Sequence, residues 1–254
     1  MSDVETKDKR PVWICYDKEE LGDKAAEFFA KQVNAIVAEK GSCSVALSGG
    51  STPKAMYKSL LKDEYASIIP WNKILFFVSD ERCVPHESEE SNYGNADRAL
   101  LSPMKISSAQ LHPTQGQDKD PDTAASSYEI EIRRLVPAGK NGLPSFDLIF
   151  LGMGPDGHTA SLFPGSAALS EKKRLVVKNH VAKVNADRIT FTFPLINSAQ
   201  QVVFLVTGAD KAEILVDVFR HANMYPVEHV NLDEGTITWF VDRAAVADDY
   251  PDPA

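Results

Sequence analysis

Apolar residues recur along this chain in two rhythms. In the first, Leu21, Ala25, Phe28, Phe29, Val33, Ile36 and Val37 fall three or four positions apart, which lines them along one face of a helix. Asp17 and Glu20 have the spacing of a capping box ahead of that helix, and Gly41 supplies a stop after it. The second rhythm is the short continuous apolar run. CSVALS at 43–48, ILFFVSD at 74–80, FDLIFLG at 146–152, RLVVK at 174–178, RITFTF at 188–193, QVVFLVTG at 201–208 and TITWFVD at 236–242 have the length and β-branched content of strands. Helical spacing returns between many of them, at about 53–62, 92–101, 121–135 and 209–220. Strands without a polar face, interleaved with helices, predict an α/β protein: a single doubly wound domain whose mostly parallel sheet carries helices on both faces. The polar stretch 102–120 reads as a surface excursion, residues 1–11 as a flexible tail, and 12–254 as the one domain.

Composition narrows the partners. The 254 residues are 43% hydrophobic and 25% charged, a balance able to bury a substantial core. Lys and Arg number 27 against 36 Asp and Glu, so the net charge of -9 gives no general attraction to nucleic acid or an anionic membrane. Any anionic ligand must be held locally. Cys15, Cys43 and Cys83 are odd in number and far apart, which suits buried reduced thiols better than disulfides. With no signal-peptide pattern and no apolar run long enough to span a bilayer, a cytoplasmic monomer is the expectation.

In a sheet of this kind the ligand crevice lies beyond the carboxyl ends of the strands. The first such end reads Ser48, Gly49, Gly50, Ser51, Thr52, Pro53, with Thr52 placed as an N-cap. Exposed amides from Gly49 to Thr52 at a helix N-terminus suit a phosphate, and an ordinary glycine turn is the alternative. The second end carries Asp80, Glu81 and Arg82, either a site for sugar hydroxyls and an oxyanion or a structural ion-pair cluster; His86 beyond it reads as solvated. At the third, Asp210 and Glu213 are spaced as a capping box and Lys211 falls in a helix's first turn, where the dipole disfavours a cation. Lys211 therefore either meets a bound anion or points away. Arg188, at a strand's start, is a further candidate for an anion.

The fourth end, LGMGPDGHTASLFPG at 151–165, spaces Gly152, Gly154 and Gly157 as in a dinucleotide fingerprint. Asp156 would then lie beside a pyrophosphate, and Pro164 with Gly165 cuts off the helix that the fingerprint needs. What the loop offers instead is His158 as a base near pH 7, with the Asp156 carboxylate two residues away to fix its tautomer. The sequence holds no Gly-x-Ser-x-Gly, His-Glu-x-x-His or Cys-x-x-Cys. His112, His180, His221 and His229 stand singly and read as structural or surface residues.

Taken in order, LSGGSTP, SDER, GMGPDGHTASLFPG, RITFTFP and TGADKA resemble the 6-phosphogluconolactonase family from about residue 12 to 246. That family shares its fold with glucosamine-6-phosphate deaminases, whose histidine loop continues to Asn-Glu-Pro-Gly. Here Phe163 stands in place of that glutamate, and Arg82 in place of the tyrosine usual after the deaminase Asp-Glu pair. The resemblance implies hydrolysis of 6-phospho-D-glucono-1,5-lactone in the oxidative pentose phosphate pathway, without metal or organic cofactor. It implies His158 as the base and Asp156 as its support, with Arg82 or the amides near Gly154 and Gly157 at the oxyanion and Asp80 on sugar hydroxyls. Gly49, Gly50, Ser51, Thr52, Lys211 and Arg188 would hold the phosphate. Competing readings are the deaminase reaction, a sugar-phosphate sensor without turnover, and a nicotinamide-dependent oxidoreductase.

Overall fold

The computed structural model describes residues 11–117 and 120–246, so the expectations for the tail before Pro11 and for the last eight residues lie outside the described residues. The strands are β1 (Val12–Cys15), β2 (Cys43–Leu47), β3 (Ile74–Val78), β4 (Asp80–Arg82), β5 (Leu148–Leu151), β6 (Val176–Val181), β7 (Ala186–Phe191), β8 (Gln201–Val206) and β9 (Thr236–Asp242). Six of them form one sheet in the order β1-β9-β8-β5-β2-β3, with every neighbouring pair parallel. The helices are α1 (Lys18–Lys40), α2 (Ser51–Leu60), α3 (Asp63–Ala66), α4 (Asn92–Ala96), α5 (Pro121–Leu135), α6 (Phe193–Asn197) and α7 (Ala212–Phe219).

The continuous apolar runs follow from burial on both faces. Successive side chains of a strand point to opposite sides, and here the two sides feed two cores. Val45, Leu47, Leu148, Phe150, Val203 and Leu205 pack with Leu21, Phe29 and Val33 of α1 and Met56 of α2. Ala46, Ile149, Leu151, Val202, Phe204 and Val206 pack with Tyr128 and Ile132 of α5, Leu195 of α6 and Leu215 of α7. The predicted α/β architecture, with helices on both faces of a mostly parallel sheet in a single domain, is the one found. The start and stop of α1 are local chemistry: the Asp17 carboxylate accepts from the Glu19 and Glu20 amides at 2.9 Å each, and Gly41 ends the helix at φ 81. Glu20 returns a bond one residue further back than a capping box would, to the Tyr16 amide at 2.6 Å.

Three expectations need correcting. The runs at 174–178 and 188–193 do not join the parallel sheet; β6 and β7 pair antiparallel, and β4 adds to β7, making a separate three-stranded sheet. Only the short turn at Ala182–Val184, closed by left-handed Asn185 at φ 46, connects β6 to β7. A parallel pair would need a crossover of a dozen or more residues there. The stretch 102–120 is also less peripheral than its polarity suggests, because the His112 amide donates to Phe76 O at 2.9 Å and covers the β3 edge. His112 itself is buried, stacked on Phe77 and bonded through Nδ1 to Glu131 at 2.9 Å. Finally VWIC, which the periodicity passes over, is the edge strand β1, paired with β9.

Ser79 is where the two sheets meet. Its amide donates to Leu47 O of the large sheet, while its carbonyl accepts from the Phe191 amide of the small one, both at 2.9 Å. The chain therefore leaves β3 and enters β4 across one residue, which lifts Asp80 and Arg82 over the carboxyl ends of the large sheet. In the small sheet Arg82 is paired with Arg188, and Arg188 with Asn179, in one cross-strand row.

Candidate active site

The carboxyl ends of β2, β3, β5 and β8 surround a cavity of about 250 Å³ lined by Gly49, Gly50, Ser51, Thr52, Asp80, Arg82, Gly154, His158, Arg188 and Lys211. Every residue singled out at the strand ends as a site candidate is in that lining except Glu81, Asp156 and Gly157. Ser48, Asn92, Met153, Ala160 and Thr207 complete much of the remaining wall and were not anticipated there.

At one end of the cavity α2 begins. Its N-cap is Gly50, at φ 100, and no side chain caps the helix among the described residues. Thr52 is therefore not the cap but part of the first turn, where its hydroxyl bonds to that of Thr207 at 2.7 Å. Amides in the first turn of a helix have no partner within it, and the dipole makes them attractive to an anion. Gly49 is needed for space rather than for backbone angle, since a Cβ there would lie 1.9 Å from Asn92 Oδ1. Lys211 approaches from the turn before α7, paired with the exposed Asp210 carboxylate. The expected Asp210 and Glu213 capping box is not formed: α7 has no side-chain cap, and Asp210 turns its carboxylate to Lys211 instead.

The small sheet supplies the other charges. Glu81 is buried and lies outside the cavity; its carboxylate accepts from the amides of Arg82, Asn92 and Tyr93 and from Ser91 Oγ at 2.7–2.9 Å. Burial pushes its pKa up against those four bonds, so Glu81 serves as the anchor that pins α4 to β4. Asp80 accepts from Ser161 Oγ at 2.6 Å. Arg82 donates through Nη1 to Glu90 O at 2.6 Å, and both Arg82 and Arg188 keep a buried Nε without a partner among the described residues. Burial lowers the Arg188 pKa, Asp80 opposes that shift, and the like charge of Arg82 adds to it. Three cations against the single carboxylate of Asp80 give the lining a formal charge of +2 with His158 neutral (3 - 1 = 2), inside a chain of net charge -9. His86, expected to be solvated, is half-buried against Tyr93 and bonded to Thr114 O at 2.9 Å.

The loop after β5 contains no helix, which removes the dinucleotide reading: the element that would receive a pyrophosphate is missing. His158 Nδ1 lies 2.5 Å from Asp156 Oδ1, and Asp156 Oδ2 accepts from Lys183 Nζ at 3.1 Å. Burial alone would raise the Asp156 pKa, but the bond and charge of His158, together with Lys183, take it down to about 2. An ionised carboxylate only accepts, so Nδ1 carries the shared proton and Nε2 is left as the basic nitrogen. The ring of Phe163 stacks on His158, with centroids 3.9 Å apart, and the Arg188 guanidinium sits 5.5 Å from the centre of the same Phe163 ring. Gly154 and Gly157 do not offer amides to a ligand. The Gly154 amide donates to His158 O and the Gly157 amide to Gly154 O, at 2.9 and 3.0 Å. Gly157, at φ 71, lies beneath Tyr225, whose Cβ would be 2.6 Å from any added methyl. It shapes the loop rather than touching the cavity.

Among the described residues no three His, Cys, Asp or Glu side chains gather in a metal-binding arrangement. The cysteines are free thiols, and burial pushes Cys15 up to about 12 and Cys83 to about 11, away from nucleophilic chemistry. No helix among the described residues is long and apolar enough to cross a membrane.

An uncapped helix N-terminus with the Lys211 ammonium beside it shares the cavity with a histidine backed by a carboxylate, an arrangement suited to a small anionic ligand. The family model for "Glucosamine-6-phosphate isomerases/6-phosphogluconolactonase" matches residues 16–239, and the chain belongs to that family. Relatives at 34–39% identity carry the lactonase name. A protein of Oryza sativa subsp. indica named "Probable 6-phosphogluconolactonase 3, chloroplastic" is 39% identical, over 92% of this chain and 75% of its own. The 6-phosphogluconolactonase of Synechocystis is 37% identical, over 92% of this chain and 96% of its own. Among solved structures, that of 6-phosphogluconolactonase from Trypanosoma brucei aligns with a TM-score of 0.85 at 27% identity, covering 93% of this chain and 97% of the other. A monomeric glucosamine-6-phosphate deaminase aligns with a TM-score of 0.78 over 92% of this chain and 98% of its own, at 20% identity, a likeness of fold alone.

Proposed function

We propose that this chain is a lactone hydrolase that converts 6-phospho-D-glucono-1,5-lactone and water to 6-phospho-D-gluconate, a step of the oxidative pentose phosphate pathway. The observation that carries the reading is the His158 and Asp156 pair opening, through His158, onto a cavity that also holds an uncapped helix N-terminus and two guanidiniums. The substrate phosphate takes the amides of α2 and the Lys211 ammonium, which sets the lactone carbonyl toward the small sheet. His158 Nε2 accepts a proton from water as its oxygen attacks the carbonyl carbon. The charge that develops on the carbonyl oxygen faces the guanidiniums of Arg82 and Arg188, since the loop amides are already engaged. As the bond from that carbon to the ring oxygen breaks, the imidazolium returns the proton to the ring oxygen, which becomes the free hydroxyl of the product. Asp156 holds the imidazole in the required tautomer and balances its charge, and Asp80 receives sugar hydroxyls.

Phe163 supports this reading over ring opening of an amino sugar phosphate, because an aromatic ring stacked on His158 leaves no acid at that position. The test is the rate of acid release from the lactone, with its spontaneous hydrolysis subtracted, for wild type and His158→Ala at one pH. General-base assistance is worth about 10²- to 10⁴-fold. A His158→Ala enzyme within about threefold of wild type would overturn the role given to His158. The same reading includes a monomer that works in the cytoplasm and needs no cofactor, as expected from the sequence; sedimentation of the purified chain tests the first of these.

A further inference from the structure

Asp156 is gripped from two sides, and the second grip has no part in the reaction described above. His158 uses Oδ1, while Lys183, on the turn between β6 and β7, donates to Oδ2 at 3.1 Å. The turn belongs to the small sheet and the histidine loop to the large one, so this ion pair ties the two together behind the cavity. A second cavity of about 270 Å³, lined by Asp156, Phe163, Ser166, His180 and Lys183 among others, lies on that far side of the carboxylate. Lys183 is two-thirds exposed and does not line the substrate cavity, so it reaches the chemistry only through Asp156.

We propose that Lys183 is a positioning residue that sets the proton affinity of His158, by holding the carboxylate oxygen that the imidazole leaves free and drawing part of the Asp156 charge toward itself. This inference rests on His158 acting as the base. A base must be neutral to accept a proton, and a carboxylate devoted wholly to His158 would hold the imidazolium form too firmly. Lys183 offsets that, both through the shared carboxylate and as a nearby like charge. The other charged groups facing the pair are Arg82, Arg188 and Asp80 from β4 and β7, and Lys211 from the turn before α7. On the far side, His180 and Asp187 form their own pair at 2.9 Å. None of these is bonded to Asp156 among the interactions of the described residues, which leaves Lys183 as the cation in direct contact with it.

The sign follows directly. Replacing Lys183 by Met keeps the aliphatic stem and removes the charge; the imidazolium then becomes more stable, and the acid limb of kcat/KM moves to higher pH. For an exposed ion pair the shift is about 0.2–0.7 pH unit. Lys183→Arg retains the charge and keeps the wild-type limb. The experiment is the pH profile of lactone hydrolysis between pH 5 and 8, spontaneous hydrolysis subtracted, for wild type, Lys183→Met and Lys183→Arg, with an NMR titration of the His158 ring in each. An upward shift in the Met variant alone, seen in both the profile and the ring titration, supports the proposal. An unmoved limb, a downward shift, or the same shift in the Arg variant overturns it. His158→Ala separates the two readings: if it abolishes activity while the Lys183→Met limb stays put, this inference fails alone, and if it leaves activity intact, the assignment of the base fails first.

Discussion

Replacing Asp156 by Asn tests the pair at the centre of the site through stability as well as rate. The side chain keeps its shape but loses the charge that His158 and Lys183 both use. Its carboxyl titrates at about 2 in the folded protein against an ordinary 3.8, and a depressed acid stabilises the fold at every pH above its unfolded value. Discounted for partial solvent screening, that depression corresponds to about 2 kcal/mol. That contribution is fully present above about pH 4, falls to roughly half near pH 3, and is gone as the pH drops through about 2. For a chain of this size about 2 kcal/mol lowers the melting temperature by roughly 4–8 °C. Melting curves of wild type and Asp156→Asn at intervals from pH 6 down to pH 3 should show that gap, constant at first and narrowing below about pH 4. In the rate, losing the same coupling to the imidazolium predicts a fall in kcat/KM of about thirtyfold at the optimum. A melting difference under about 1 °C at pH 6, or one that stays flat to pH 3, would refute the strength assigned to the pair.

The two ends of the cavity should respond differently to the loss of a cation. Lys211→Met is expected to raise KM about tenfold with kcat nearly unchanged, whereas Arg82→Met should lower kcat by about 10²-fold or more, as for a lost oxyanion donor; steady-state kinetics on the lactone decide between them. Gly49→Ala drives a methyl into Asn92, which its own bonds to Asp80 O and Glu81 hold at 2.9 and 2.7 Å. That overpacking should cost about 1–3 kcal/mol in denaturant unfolding and raise KM; a variant as stable as wild type would show that Asn92 gives way freely.

What the sequence revealed, and what it concealed, divides along the range of the interactions. That His158, Asp80, Arg82 and the Gly49 to Thr52 turn line one cavity is legible because each lies in the segment that follows an apolar run, and the end of a parallel strand is where such a sheet opens. The asymmetry of Phe163 was legible too, since it departs from a pattern within a single loop. Gly157 reads as a ligand-site residue because its neighbours do, yet what forces glycine there is Tyr225, 68 residues further along, which leaves no local trace. The small sheet is hidden from local pattern for a related reason. RLVVK and RITFTF have the composition of core strands, and only the brevity of the segment between them, too short for a crossover, points to a hairpin. Arg188 looked marginal as the first residue of a run, and the β4 pairing that sets it beside Arg82 is a contact between residues more than a hundred positions apart. The Thr52 cap and the Asp210 and Glu213 box followed sound local rules, but at both helices the chain leaves the N-terminus without a side-chain cap.

The crossing of the chain at Ser79 means that the two halves of the chemistry are carried on separate supports. The uncapped start of α2, with Gly50, Thr52 and Thr207, belongs to the large sheet, although Asn92, held to β4 through Asp80 and Glu81, packs against its Gly49. The guanidiniums of Arg82 and Arg188 ride on the small sheet, which is joined to the first support through Ser79, through the bonds of Ser161 with Asp80, Thr190 and Asn179, and through the Lys183 to Asp156 tie. On the proposed mechanism, substitutions at Arg82 or Arg188 act first on the reacting carbonyl, whereas changes that shift Asn92 or Ser161 reach both supports at once.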